Sequence, residues 1–353
     1  MVVHSASQMA WASIQCTRRQ LNLDITLRCG QSFRWKKNDE GEWLSTFANK
    51  VWVLKQDLEG NILYKVLDGN GTATSSCNDG LSLAKGANRK RKAKNGLSES
   101  QAECQLDDHG HLLRDYFQMN VDLEKLYKQW SAADEIFRDV AVALPGVRIL
   151  RQDPFEALVA FICSSNNNIT RISSMVNKLC EMYGTHLLSS STGSFYAFPT
   201  AEQLDRDSVE PELKAAGFGY RARYVRAAAR ALSQQDPLWL ASLREASYPE
   251  AHSQLLQLPG VGPKVADCVC LMALDKADVV PVDVHVWKLA VRHYLPHLSK
   301  HKNLTTTAYR EIGSFFKERF GPYAGWAHSV LFTSDLKEHS KQPGRASAKC
   351  PAM

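Results

Sequence analysis

The sequence lacks any stretch that could cross a membrane, since no apolar run in its 353 residues approaches the ~20 a bilayer span requires. Its first residues, MVVHSASQMAWASIQ, have no long apolar core, which excludes a secretory signal. With His4, Arg18 and Arg19 the nearest basic residues, they make at most a weak transit peptide. Paired Cys-x-x-Cys spacing is missing, and so is any four-cysteine cluster, which excludes the common zinc and iron–sulfur ligand patterns. The nine cysteines are scattered, with only Cys268 and Cys270 close together, and this points to reduced thiols in nucleus, cytosol or mitochondrion. A large excess of one charge is absent too. Lys and Arg number 43 against 37 Asp and Glu, and the net charge of +6 suits a nucleic-acid partner without requiring one. No internal repeat is evident.

What is present is an ordinary globular composition, 44% hydrophobic and 23% charged, in a chain long enough for two or three domains. Residues 21 to 67 read as strands: Leu21 to Leu27 alternates, and SFRW, EWLSTFANKVWVLKQ and NILYKVL follow, punctuated by Gly30, Gly41 and Gly60. An antiparallel sheet is expected. From Gly69 to Asp107 large apolar residues become rare, as in a disordered insertion. Within it Arg89-Lys90-Arg91-Lys92-Ala93-Lys94 reads as a nuclear-import signal, a nonspecific DNA-binding strip or a solvated charge run. From His111 onward apolar residues recur at three- and four-residue intervals, predicting helices to about residue 336 and then a disordered tail.

The helical part is organised around Leu258-Pro259-Gly260-Val261-Gly262-Pro263-Lys264. Two glycines around one small apolar residue make a tight hairpin, and Pro263 suits the first position of the helix that follows. Backbone N–H groups and the positive dipole end coincide there, which favours a phosphate. Lys264 sits in the first turn, opposing the dipole, and nucleophilic lysines act as neutral amines. Nineteen residues on, Asp283 reads as the N-cap of the next helix. A carboxylate fixed there can stabilise a cationic transition state. The plainer readings are a non-catalytic DNA-binding hairpin and a carboxylate that only caps.

Three further groups qualify. Asn166, Asn167 and Asn168, with Arg171 beyond, are turn and cap residues or donors to a nucleobase edge. Tyr220 and Arg221, at a glycine-loosened helix start with Arg223 and Arg226 nearby, suit a wedge into a base stack or a packed tyrosine. Cys268 lies four residues after Lys264 and Phe332 four after His328, so each pair shares a helix face. Together they would grip a planar base, or simply fill core.

Segments 28–35 (RCGQSFRW), 151–172, 219–225, 258–276, 280–285 and 321–332 (GPYAGWAHSVLF) together resemble the eukaryotic 8-oxoguanine DNA glycosylases of the helix-hairpin-helix glycosylase/AP lyase superfamily. The resemblance runs from about Trp11 to Leu336, interrupted mainly by residues 70–107. It implies an α+β protein: an antiparallel β domain over 1–110, a helical catalytic domain over 111–340 with the hairpin at 249–275, and a tail at 341–353. It implies excision of 8-oxoguanine, and of formamidopyrimidine guanine, opposite cytosine, followed by strand cleavage by β-elimination. Lys264 would be the nucleophile and Asp283 its electrostatic partner. Gly30, Cys268, Pro281, His328 and Phe332 would line the base pocket, the Gly30 carbonyl accepting the N7 hydrogen. Asn166, Arg171 and Arg221 would contact the estranged cytosine, with Tyr220 wedged into the duplex. Gly260, Gly262 and Val265 would donate to phosphate, and so would His285, oriented by Asp335. No cofactor or metal is implied. The partner is double-stranded DNA containing oxidised guanine, met by a monomer that hands over to downstream repair enzymes in the nucleus, with the mitochondrion as a second compartment.

One position departs from the family, which usually has glutamine where this chain has His328. A neutral histidine offers one donor and one acceptor, so base reading is expected to differ and to depend on pH near 6.5. The alternatives to this reading are a noncatalytic damaged-DNA-binding protein and a glycosylase for another purine lesion.

Overall fold

The computed structural model describes residues 11–67, 107–190 and 193–336. The basic run Arg89–Lys94, all of the 70–107 insertion but Asp107, and the 341–353 tail lie outside the described residues.

Five strands form the N-terminal sheet: β1 Ala12–Ile14, β2 Lys36–Lys37, β3 Trp43–Phe47, β4 Lys50–Gln56 and β5 Ile62–Leu67, in the order β1-β5-β4-β3-β2, all antiparallel. The β3–β4 hairpin closes through Ala48 and Asn49, both at positive φ, the two-residue turn whose twist matches the strands it joins. Two expectations fail here. Leu21–Leu27 is no strand but the short helix α1, Leu23–Thr26, because the Asn22 side chain caps it by accepting from Ile25 N. SFRW is irregular, and the strand begins only at Lys36. β1, which pairs with β5, carried too short a pattern to read.

The helices that follow are α2 Asp108–Tyr116, α3 Leu123–Ala133, α4 Glu135–Ala143, α5 Pro154–Cys163, α6 Ile169–Tyr183, α7 Ala201–Leu204, α8 Val209–Ala215 and α9 Arg221–Ser233. Then come α10 Trp239–Ser242, α11 Tyr248–Leu255, α12 Pro263–Ala273, α13 Val284–His293, α14 Thr306–Phe320 and α15 Ala324–Asp335. A small hairpin, β6 His186–Ser190 and β7 Gly193–Tyr196, interrupts them where only helices were expected. No helix among the described residues is long and apolar enough to cross a membrane.

Two cores result. Trp35 just before β2, with Trp43, Trp52 and Tyr64 from the sheet, packs on Leu113, Tyr116 and Phe117 of α2 and its end. The larger core gathers the helices around α5 and α12, and it includes Cys29 and Phe33 from the loop before β2. That loop therefore belongs to the sheet by sequence and to the helices by packing. It is pinned by the Gln31 side chain, whose amide donates to Arg148 O at 2.7 Å and accepts from Leu150 N at 2.9 Å. Gln152 donates to Gln31 O at 2.9 Å.

Candidate active site

The hairpin before α12 owes its shape to both glycines, for different reasons. Gly260 sits at φ +82, and a Cβ there would fall 2.5 Å from Cβ of Tyr224. At Gly262 a Cβ would meet nothing within 4 Å among the described residues, so this glycine leaves open space outside the backbone. Gly262 is the N-cap of α12 with no side-chain cap, and Pro263 opens the helix. The N–H groups of Gly260, Gly262 and Val265 have no acceptor among the described residues. The hairpin thus offers donors beside an open face at a dipole end.

Lys264 enters α12 in its first turn and is partly buried. Its Nζ donates to Ser164 Oγ at 3.1 Å and lies 5.1 Å from the centre of the Phe161 ring. Ser164 donates in turn to Phe161 O at 2.7 Å, so the end of α5 holds the amine from below. Asp283 caps α13, its Oδ1 accepting from the N–H groups of His285 and Val286 at 2.9 Å each. The cap fixes the carboxylate's direction.

Lys264 and Asp283 both act on the charge of the Cys268 thiol. Burial pushes this thiol up to about 11; Lys264 offsets part of this and Asp283 adds to it. Both therefore lie within electrostatic reach of one sulfur, one turn below Lys264 as the four-residue spacing predicts.

The remaining pocket residues come from three elements. Gly30, at φ +80, places its Cα where a Cβ would meet Ile169 at 3.2 Å and Phe332 at 3.7 Å, so the N-terminal loop touches α6 and α15 at the site. Pro281 is buried ahead of Asp283. His328 is 5% exposed, tilted 30° against Phe332 and edge-on to Phe316, and neither ring nitrogen has a hydrogen-bond partner among the described residues. Gly325 O lies near the ring and slightly favours protonation, but outside hydrogen-bonding geometry. Burial outweighs this and the pull of Asp283, and lowers His328 to about 4. The expected titration near pH 6.5 is thereby corrected: desolvation keeps this imidazole neutral throughout the physiological range.

The asparagine run divides. Asn168 caps α6 by accepting from Arg171 N at 3.0 Å, and Asn167 donates to Cys163 O at 2.9 Å. Asn166, exposed at φ +48, has no side-chain partner among the described residues. Arg171 is exposed and donates to Gly217 O at 3.2 Å. Tyr220 is 52% exposed and donates to Ser165 O at 3.0 Å. Arg221 is buried, its guanidinium donating to Ser165 O and to Asn166 O. Contact with a base would exchange those bonds. His285 is exposed, edge-on to Phe332 at 6.4 Å. The expectation that Asp335 orients it is not met, because Arg292 takes that carboxylate at 3.0 Å.

With this geometry stand the likenesses to known proteins. A family described as 8-oxoguanine DNA glycosylase, N-terminal domain, matches residues 13–158, and the HhH-GPD superfamily of base excision DNA repair proteins matches 159–314. The N-glycosylase/DNA lyase OGG1 of Arabidopsis thaliana is 35% identical over 337 residues, spanning 95% of this chain and 82% of that protein. The chain belongs to the 8-oxoguanine DNA glycosylase family.

A second family member, the N-glycosylase/DNA lyase of Saccharomyces cerevisiae, is 33% identical, with 92% of this chain and 86% of that protein covered. Among solved structures, the Clostridium acetobutylicum 8-oxoguanine glycosylase/lyase, bound to double-stranded DNA containing cytosine opposite 8-oxoG, superposes with a TM-score of 0.68 at 26% identity. That match covers 89% of this chain and 91% of the other. The 3-methyladenine DNA glycosylase of Archaeoglobus fulgidus, TM-score 0.65 at 18% identity over 92% of this chain and 98% of that one, shares the fold alone. Among the described residues no group of three or more His, Cys, Asp or Glu could hold a metal ion.

Relative to this family pattern, sequence reading gave no role to Ser164, which is 100 positions from the lysine it binds. No short-range spacing could have joined them. Gln31 and Arg148, which hold the Gly30 loop, were hidden for the same reason.

Proposed function

We propose that this protein is a bifunctional DNA glycosylase that releases 8-oxoguanine, and formamidopyrimidine guanine, from opposite cytosine in duplex DNA, and then cuts the strand as an AP lyase. It acts as a monomer in the nucleus, which the basic run Arg89–Lys94 supports, with the mitochondrion as a second compartment. The observation that carries the reading is that the amine of Lys264, in the first turn of α12, is held by Ser164 Oγ at 3.1 Å while the Asp283 carboxylate is fixed as the N-cap of α13.

The chemistry follows from that placement. The hairpin N–H groups and His285 hold the phosphates while the lesion is turned out of the stack at a cost of a few kcal/mol. Tyr220 fills the gap, and Asn166, Arg171 and Arg221 meet the orphaned cytosine. In the pocket the base lies between Cys268 and Phe332, beside Pro281 and His328, and the Gly30 carbonyl accepts the N7 hydrogen that guanine lacks. The Lys264 amine forms a bond to C1′ with its lone pair, the purine leaves with the C1′–N9 bonding pair, and the proton shed by the amine balances the one the departing purine takes up. Asp283 stabilises the positive charge that builds on the sugar. The C1′–O4′ bond of the adduct then breaks as the nitrogen lone pair forms a Schiff base, and the ring oxygen takes up a proton and stays on C4′ as a hydroxyl. Removal of a C2′ proton then expels the 3′ phosphate.

Asp283→Asn tests the division of labour, because asparagine also caps helices well and should leave the fold intact. Release of 8-oxoguanine should fall roughly 10²- to 10³-fold, as when other preorganised charges are removed, with duplex affinity little changed. Excision at the wild-type rate, measured by single-turnover base release, would reduce Asp283 to a cap. A wild type that shifts lesion duplexes in gels but releases no base would instead be a damage-binding protein.

A further inference from the structure

Asp267 is a carboxylate on α12, 2% exposed and one helical turn beyond Lys264. Nothing in the chemistry above uses it. Its Oδ1 accepts from the Tyr248 hydroxyl of α11 at 2.8 Å, with His252 Nε2 at 3.5 Å, and its Oδ2 accepts from the Tyr309 hydroxyl of α14. Tyr309 does more than satisfy the acid. The same hydroxyl oxygen accepts from the N–H of Val282 at 3.4 Å, and Val282, itself buried, immediately precedes Asp283. Pro281 has no N–H, so the Val282 N–H is the last backbone donor before the Asp283 cap.

We propose that the chain Val282 N–H to Tyr309 hydroxyl to Asp267 carboxylate is a positioning strut. It fixes the segment bearing Asp283 relative to the helix bearing Lys264, and thereby sets the separation of nucleophile and carboxylate. The polarity is consistent at every link: the backbone donates to the phenol, and the phenol donates to the acid. A buried carboxylate that accepts two phenols costs more to keep than an apolar residue of its size, unless its geometry is used. The inference rests on the Lys264–Asp283 reading and adds Tyr309 and Asp267 to it as residues acting through others.

Tyr309→Phe removes one hydroxyl and keeps the ring, and Tyr248→Phe is the matched control. Each deprives Asp267 of one phenol, but only Tyr309 reaches Val282. In single-turnover excision on 8-oxoguanine duplex, Tyr309→Phe should slow base release on the order of tenfold, the scale on which small misplacement acts. Duplex affinity should stay within about twofold, and Tyr248→Phe should excise within about twofold of wild type. Asp267→Asn should slow release by a similar factor, and the double variant with Tyr309→Phe should be no worse than either alone, because one strut is broken in both. Excision by Tyr309→Phe at the wild-type rate overturns the proposal, and so does an equal loss in both tyrosine variants. Should Tyr309→Phe not fold, Asp267→Asn decides by the same rate criterion. Failure of the wild type itself to release base would defeat the parent reading, a different result from a wild-type-like Tyr309→Phe.

Discussion

His328 is a polar ring enclosed between Phe332 and Phe316 with no hydrogen-bond partner among the described residues, and its physics is set by that enclosure. Unfolded, the imidazole takes up a proton near pH 6.5; folded, it does so only near 4. Between these values the unfolded chain binds the extra proton. Its contribution is therefore complete above pH 6.5 and is lost as pH falls toward 4, on the order of 3 kcal/mol in all. His328→Gln removes the titration. The drop in Tm between pH 7 and pH 5 should be smaller in that variant by about 3 °C, and an equal drop in both proteins would contradict the burial argument. Excision between pH 6 and 8 should carry no inflection that His328→Gln abolishes. The departure from the family's glutamine was legible in the sequence; the direction of its pKa was not, because burial by Phe316, twelve residues upstream on another helix, has no signature in local spacing.

The hairpin between α11 and α12 was the most legible element. Its glycines, its proline and the four-residue step from Lys264 to Cys268 each encode geometry through local sterics, and the structure has the helix start at Pro263 as the sequence predicts. What the sequence left unsaid is that the glycines do different work. Gly260→Ala must strain a positive φ and collide with Tyr224 of α9, and should cost about 2 kcal/mol or more, lowering Tm by several degrees. Gly262→Ala meets open space and should melt within about 2 °C of wild type, while its new methyl stands where phosphate would approach. Thermal melts and duplex titrations separate the two. A Gly262→Ala protein that binds duplex as tightly as wild type would remove the hairpin from the phosphate contact. The strand run from Leu21 to Leu27 misled for a related reason: alternation over seven residues cannot outweigh one asparagine placed to cap a helix.

At the scale of the whole molecule, the site exists because two cores are locked together. Arg148, 2% exposed, donates from its guanidinium to the carbonyls of Gln20, Gln118 and Val121, and burial lowers its pKa despite those partners. The backbone oxygen of Arg148 holds Gln31, the neighbour of Gly30. Arg34 adds an ion pair to Glu156 of α5 at 3.2 Å. These bonds bring Gly30 to α6 and α15, and a local sequence pattern cannot show them because their partners lie from 27 to 128 positions apart. The order of sheet then helices was legible from periodicity; the interleaving, with Cys29 and Phe33 in the helical core and Leu113 and Tyr116 in the sheet core, was not.

One amine must reach C1′ in the assembled molecule, and covalent capture tests that most directly. Borohydride added to the wild-type protein on 8-oxoguanine duplex should reduce the Schiff base to a stable protein–DNA adduct, and Lys264→Gln should give none while still folding and binding the duplex. An adduct of undiminished yield in Lys264→Gln would contradict the account.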